Sequence, residues 1–239
     1  MPAPIFPRSL LAAGLMLLVS ASSAPANGAT VGSIRRACAS CHGARGEGRS
    51  GTAIPRLAGQ RQDYLEQQLR NFADGLRPHP ASHPDAARLT PADVRRIAAS
   101  YARASPPPLW QLPAPTPDQL ARGRTLAMLG DPHLKVPACI GCHADPHVKT
   151  GKPITEGTPR IAYSNPLTPV PRLSGQPRTY MIVAMVEWGN GIRHADPTGA
   201  MNRIMAALNH DDLEALAAFY GAQSTARHKT APDAHHLEH

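Results

Sequence analysis

The amino-acid sequence predicts an all-α protein of two tandem domains, each built from a few short helices. Three observations predict it. Apolar residues recur at helical spacing behind recognisable N-caps. The chain repeats itself at an offset of 116 residues, which marks two equivalent units. Aromatic residues make up only 4% of 239 residues, against 26 Pro and 19 Gly, so side chains alone would build a thin core and something else must help to fill each unit. The formal charge of +8 favours acidic partners or peripheral association with a membrane surface.

The elements follow in chain order. Residues 1–26 read as a secretory signal: Arg8 supplies the positive end, and the apolar run from Leu10 to Val19 is shorter than the roughly 20 residues of a spanning helix. Cleavage is expected after Ala26, which places the mature chain in the periplasm. The first domain covers 27–105. A helix near Val31 to Ala39 leads into it, and Asp63 to Gly75 puts Tyr64, Leu65, Leu69 and Phe72 on one face. Thr90 to Asp93 forms a capping box with Pro91 at N1, ahead of Val94, Ile97, Ala98 and Tyr101. Residues 106–117 form a Pro-rich linker of semi-rigid, extended character. The second domain, 118–222, holds a helix over Asp118 to Leu129 and another over Asn209 to Tyr220, and 223–239 reads as a polar, His-rich, disordered tail. The repeat is explicit where Pro55-Arg56-Leu57-Ala58-Gly59-Gln60 returns as Pro171-Arg172-Leu173-Ser174-Gly175-Gln176, with Tyr64, Phe72, Gly75 and Arg77 returning as Tyr180, Trp188, Gly191 and Arg193.

All four cysteines fall in two copies of one motif, Cys38-Ala39-Ser40-Cys41-His42 and Cys139-Ile140-Gly141-Cys142-His143. CxxCH is the attachment signature of a c-type haem. The two thiols sit one helical turn apart to form thioethers, and the next residue turns its imidazole towards the iron. Two covalent c-type haems are therefore expected, with Cys38, Cys41, Cys139 and Cys142 as anchors and His42 and His143 as axial ligands. A four-thiolate zinc site would not need a His after each pair, and a thioredoxin-like CxxC would need a βαβ setting.

A low-spin haem takes a sixth ligand, usually Met or His. In the second domain Met201, in a loop just ahead of the final helix, is expected to supply it, with His194 and Met205 as alternatives. The first domain has no methionine between Ala26 and Met128. Its loop reads Arg77-Pro78-His79-Pro80-Ala81-Ser82-His83-Pro84, so a His/His haem is expected through His83, or through His79, with a five-coordinate haem as the alternative. His/His ligation lowers the potential of haem one below that of a His/Met haem two, so electrons would enter at the first and rest on the second.

These residues together, from CASCHG, PRLAGQ and GLR to CIGCHA, PRLSGQ, GIR and Met201, resemble the dihaem cytochrome c4 family over nearly all of the mature chain. The resemblance implies two class I cytochrome c folds that face each other across a pseudo-twofold interface and carry electrons in the periplasm. It also implies that Cys38, Cys41 and His42 hold haem one and that Cys139, Cys142, His143 and Met201 hold haem two. Two features depart from the family pattern: the missing first methionine, and an insertion within residues 145–167. They point to a carrier whose donor is a particular periplasmic dehydrogenase, for example one oxidising sulfur compounds, with an oxidase or small cytochrome as acceptor.

Other function classes are weighed against this one. No free Cys, metalloprotease spacing or Gly-rich phosphate loop is present to carry catalysis. The enzymatic alternative is a displaceable ligand at haem one acting on peroxide or a small oxyanion, with Arg77, Arg88, Arg95 and Arg96 drawing the anion in. Nucleic-acid binding is set aside, since the basic residues are not interleaved with aromatics.

Overall fold

Three helices begin on a side-chain cap, at Thr90, Thr116 and Asn209, whereas those after Arg61, Pro177 and Gly199 begin without one. The computed structural model describes residues 31–79, 82–105, 114–143, 169–194 and 196–223, apart from the side chains of Val31 and His83. The signal segment, most of the linker and insertion, and the His-rich tail lie outside the described residues. Among the described residues the chain forms nine helices and no strand: α1 (Val31–His42), α2 (Gln62–Ala73), α3 (Ser82–Ala86), α4 (Pro91–Ala102), α5 (Pro117–Leu129), α6 (Ile140–His143), α7 (Arg178–Gly189), α8 (Ala200–Ala207) and α9 (His210–Gly221).

The capping box at Thr90 is present, its side chain accepting from the Asp93 N–H while Asp93 reaches back to the Thr90 N–H. Thr116 and Gln119 make the same box ahead of Pro117, a cap that the reading of this stretch as linker overlooked. Asn209 caps α9 through the Asp212 N–H. Two elements correct the sequence reading. Met201 lies inside α8 rather than in a loop, and the stretch after His79 forms the short α3. Both are brief helices whose apolar periodicity is too short to register.

Two cores result. In the first, Leu65, Ile97, Ala98 and Tyr101 pack together and against Cys38, Leu57 and Leu69. The second is larger, with Leu126, Val136, Met181, Met185, Met205, Leu213, Leu216 and Tyr220 packed against Cys139, Leu173 and Met201. Helix α5 crosses α9 closely enough that a Cβ on Gly123 would stand 2.0 Å from the Ala215 carbonyl oxygen. In the first unit Gly46, at φ +76°, turns the chain under Tyr101, whose ring a Cβ would meet at 2.5 Å.

The two units join through their repeated segments. Gln176 accepts from the Arg56 N–H at 3.0 Å and donates to the Arg56 carbonyl at 2.8 Å. Its counterpart Gln60 does the same for Arg172, accepting from its N–H at 2.8 Å and donating to its carbonyl at 2.9 Å. This reciprocity is that of a pseudo-twofold axis. Deeper in the contact Gln68 accepts from Arg77 at 2.9 Å and from Arg193 at 3.0 Å, and Arg77 donates to the Tyr180 hydroxyl at 3.4 Å.

Candidate haem sites and family

Each CxxCH ends a helix. The first occupies the last turn of α1, and the second spans the turn into α6, so each His leaves its helix at the C-terminal end. In both units the chain immediately positions that imidazole. His42 Nδ1 donates to the Pro55 carbonyl at 2.9 Å, and His143 Nδ1 donates to the Pro171 carbonyl at 3.0 Å. A bond of this kind sets the tautomer, leaving the Nε2 lone pair for a metal. Burial pushes both imidazoles below the ordinary histidine range, only partly opposed by the proline carbonyls, which keeps them neutral. The charges of His79 and Arg77 lie near enough to push His42 down further.

The repeated Pro-Arg-Leu-x-Gly-Gln segment therefore has two tasks. Its proline carbonyl orients the axial His, and its glutamine ties one unit to the other. Sequence reasoning used the segment only to find the repeat. The signal was a proline that opens each copy of the repeated segment, 13 residues after the first CxxCH histidine and 28 after the second.

Cys41 is exposed, and Cys38, Cys139 and Cys142 are partly buried. Burial raises Cys38 and Cys142, and it takes Cys139 to about 11. Among the described residues no three His, Cys, Asp or Glu side chains converge to hold a metal ion.

The distal side differs between units. Met201 is partly buried in the first turn of α8 and packs on the second core. Its N–H donates to Asp196 at 2.9 Å, and the adjacent Asn202 amide donates to the carbonyls of Trp188 and Arg193. Met205 is in the core at 6% exposure, and His194 is exposed, with its N–H bonded to the Leu76 carbonyl. In the first unit His79 is exposed, its Nδ1 within 3.0 Å of the Ser82 hydroxyl and its ring 6.0 Å from Phe72. His83 lies on α3, and its side chain falls outside the described residues.

A haem brings a flat apolar body and two carboxylates. The residues at the interface fit both. Arg77 and Arg193 are buried, stack at 4.6 Å over Phe72 and Trp188, and share a neutral amide, while Arg193 Nε is buried without a hydrogen-bond partner. Guanidinium groups so placed call for an anion. Beside them Leu76 and Ile192 leave apolar surface open at matching positions. Arg77 is thus an interface residue, and the expectation that it draws small anions to an exposed loop is corrected.

Residues 26–99 match the Cytochrome c family. A thiosulfate dehydrogenase electron acceptor of Thiomonas intermedia (strain K12) is 32% identical over 213 residues, 89% of this chain and 90% of that protein. Cytochrome c4 of Thiocapsa roseopersicina is 31% identical over 183 residues, 76% of this chain and 84% of that one. The reduced recombinant cytochrome c4 of Pseudomonas stutzeri superposes with a TM-score of 0.64 at 25% identity, covering 82% of this chain and 99% of that chain. The chain belongs to the cytochrome c4 family. It is an all-α, dihaem electron-transfer cytochrome with covalently bound c-type haem. The choice between carrier and enzyme falls to the carrier, as the relatives are named for electron transfer. No helix among the described residues is long and apolar enough to cross a membrane.

Proposed function

We propose that this cytochrome takes single electrons from a periplasmic dehydrogenase of sulfur compounds, in the manner named for its Thiomonas relative, and passes them to an oxidase or small cytochrome. A c-type haem supplies the one-electron Fe(III)/Fe(II) couple. The chain's own residues do the rest. Cys38 and Cys41 anchor the first haem, with His42 as proximal ligand. Cys139 and Cys142 anchor the second, with His143 proximal and Met201 distal. The observation that carries this assignment is the matched pair of imidazole bonds to Pro55 and Pro171, which present two histidines alike on either side of one interface. Asp196 and Asn202 hold the turn that carries Met201. The sixth ligand of the first haem comes from His79 or His83. His83 is favoured, since it sits closer to the position that Met201 holds in the repeat, with His79 as the alternative.

Redox titration of the holoprotein with optical and EPR spectra tests the reading. The expected result is two separated waves, the lower with a bis-His signal and the upper with a Met-type spectrum. His79→Ala and His83→Ala then identify the ligand: the variant that loses the bis-His signal and lets the ferrous protein bind carbon monoxide names it. Two similar Met-type waves would overturn the first-haem assignment.

A further inference from the structure

The seam between the units is symmetric in its cations and asymmetric in what holds them. Arg77 and Arg193 occupy the same place in the repeat. Each N–H donates back to the helix before it, Arg77 to the Asn71 carbonyl at 3.0 Å and Arg193 to the Glu187 carbonyl at 3.3 Å. Each guanidinium lies at 4.6 Å over an aromatic ring, Phe72 for Arg77 and Trp188 for Arg193. The symmetry fails at one position. Gln68 is buried on α2, and its side-chain carbonyl oxygen accepts from Arg77 at 2.9 Å and from Arg193 at 3.0 Å. The offset of 116 residues puts Ala184 in its place on α7, also buried and with no polar atom in its side chain. One amide of the first unit therefore serves a guanidinium from each.

Both arginines adjoin the segments that carry candidate iron ligands. Arg77 heads the loop that holds His79 and His83, and it shares the Phe72 ring with His79, whose own ring lies 6.0 Å from it. The Arg193 carbonyl accepts from the Asn202 amide at 3.2 Å, and Asn202 directly follows Met201. Two like charges on one neutral oxygen in a buried seam act strongly on their surroundings, because little water screens them. The carboxylate charge of Glu187 acts on Arg77 as well.

We propose that Gln68 is a positioning residue that tunes both haems together: by holding Arg77 and Arg193 on one oxygen, it sets how much positive charge each haem feels from the seam. The proposal rests on the reading above that each unit binds a haem and carries electrons. It adds a single side chain that acts on both potentials. In the step, each iron takes one electron and passes from ferric to ferrous; no bond forms or breaks and no proton moves. Reduction removes one positive charge at the iron, so a more positive seam favours the ferrous form and a less positive seam the ferric form. The amide oxygen, the negative end of a dipole between the guanidiniums, offsets part of their charge.

Mediated redox titration of the holoprotein, followed by optical spectra, tests this with two variants of opposite sign. Gln68→Glu puts a full negative charge on the shared acceptor and is expected to lower both waves, each by about tenfold in the ferrous-to-ferric ratio at fixed potential, which is about 59 mV for a one-electron couple. Gln68→Leu removes the acceptor at similar volume and is expected to raise both waves, by about threefold in the same ratio. A residue needed only for packing would not move them in opposite directions. The controls Gln62→Glu and Gln62→Leu, at an exposed position of the same helix, should leave both waves in place. A shift confined to one wave, the same direction in both variants, no shift in either, or equal shifts in the controls would overturn the proposal. If only one variant is obtained as holoprotein, it decides by whether both waves move in its stated direction. A parent protein without two reversible one-electron waves would sink the electron-transfer reading instead.

Discussion

At the scale of single residues, the same side chain has different weight in the two halves according to what surrounds it. Arg122 bonds to Asp212 at 2.8 Å and to Asp131 at 3.0 Å, tying α5 to α9 and to the turn that follows α5. The guanidinium, with the Leu134 and His133 N–H groups, holds the Asp131 carboxyl below the usual carboxylate range, against the small cost of desolvation. A lowered folded pKa means that this carboxylate stabilises the fold at pH values above about 3.9, its unfolded value, and that the contribution disappears as the pH falls through the lower folded value. Holoprotein carrying Asp131→Asn should therefore melt below the parent at neutral pH. The difference should shrink once the pH drops below about 4 and vanish in stronger acid. A gap that persists unchanged in acid would show that Asp131 acts through its shape and not its charge. Arg77 and Arg193 contrast with Arg122, since their hydrogen-bond partners are the neutral Gln68 amide and, for Arg77, the Tyr180 hydroxyl.

Among the elements, the helices that were visible in the sequence are those with a clean apolar face, as in α2, or with a strong cap as well, as in α4. Helix α4 carries its capping box and its stripe of Val94, Ile97, Ala98 and Tyr101 as the spacing predicts. Helices α3 and α8 escaped because each spans at most eight residues, too few for a repeat of 3.6 to declare itself. What helix α5 does was equally hidden. Gly123 looks like a weak point in a helix, yet it is the residue that admits the backbone of α9. Gly123→Ala should destabilise the second half by about 3 kcal/mol, since the added carbon would drive into the Ala215 carbonyl. Thermal unfolding of the holoprotein checks this, and a loss under about 1 kcal/mol would mean that α5 and α9 separate easily.

For the whole molecule, the question is what makes two tandem units one object. The answer is reciprocal: Gln60 and Gln176 each satisfy both backbone groups of an arginine in the opposite unit. Removing one glutamine leaves a buried N–H and a carbonyl without partners. Gln176→Ala should cost about 2–3 kcal/mol and should turn a single cooperative unfolding transition into two. Calorimetry of the holoprotein reads both effects, and a single transition at the parent temperature would show that the units are held by their apolar contact or their buried arginines instead. The same variant should leave each half's Soret spectrum unaltered, because neither Gln176 nor Arg56 lies among the proposed ligands.

The sequence by itself determined the class of the protein. Two CxxCH motifs, a repeat at fixed offset and a shortage of aromatics are local or periodic features, and such features survive without knowledge of the fold. The resemblance to the cytochrome c4 family followed from them, and the matched relatives bear it out. Only the tertiary structure decided what joins distant segments: that Pro55 and Pro171 aim the axial histidines, that Gln60 and Gln176 exchange partners across the interface, and that Arg77 turns inward while Arg36 and Arg45 stay outside. The physical reason is sequence distance. Bonds between residues 112 or 120 positions apart leave no trace in any local window, because either partner alone reads as an ordinary polar residue.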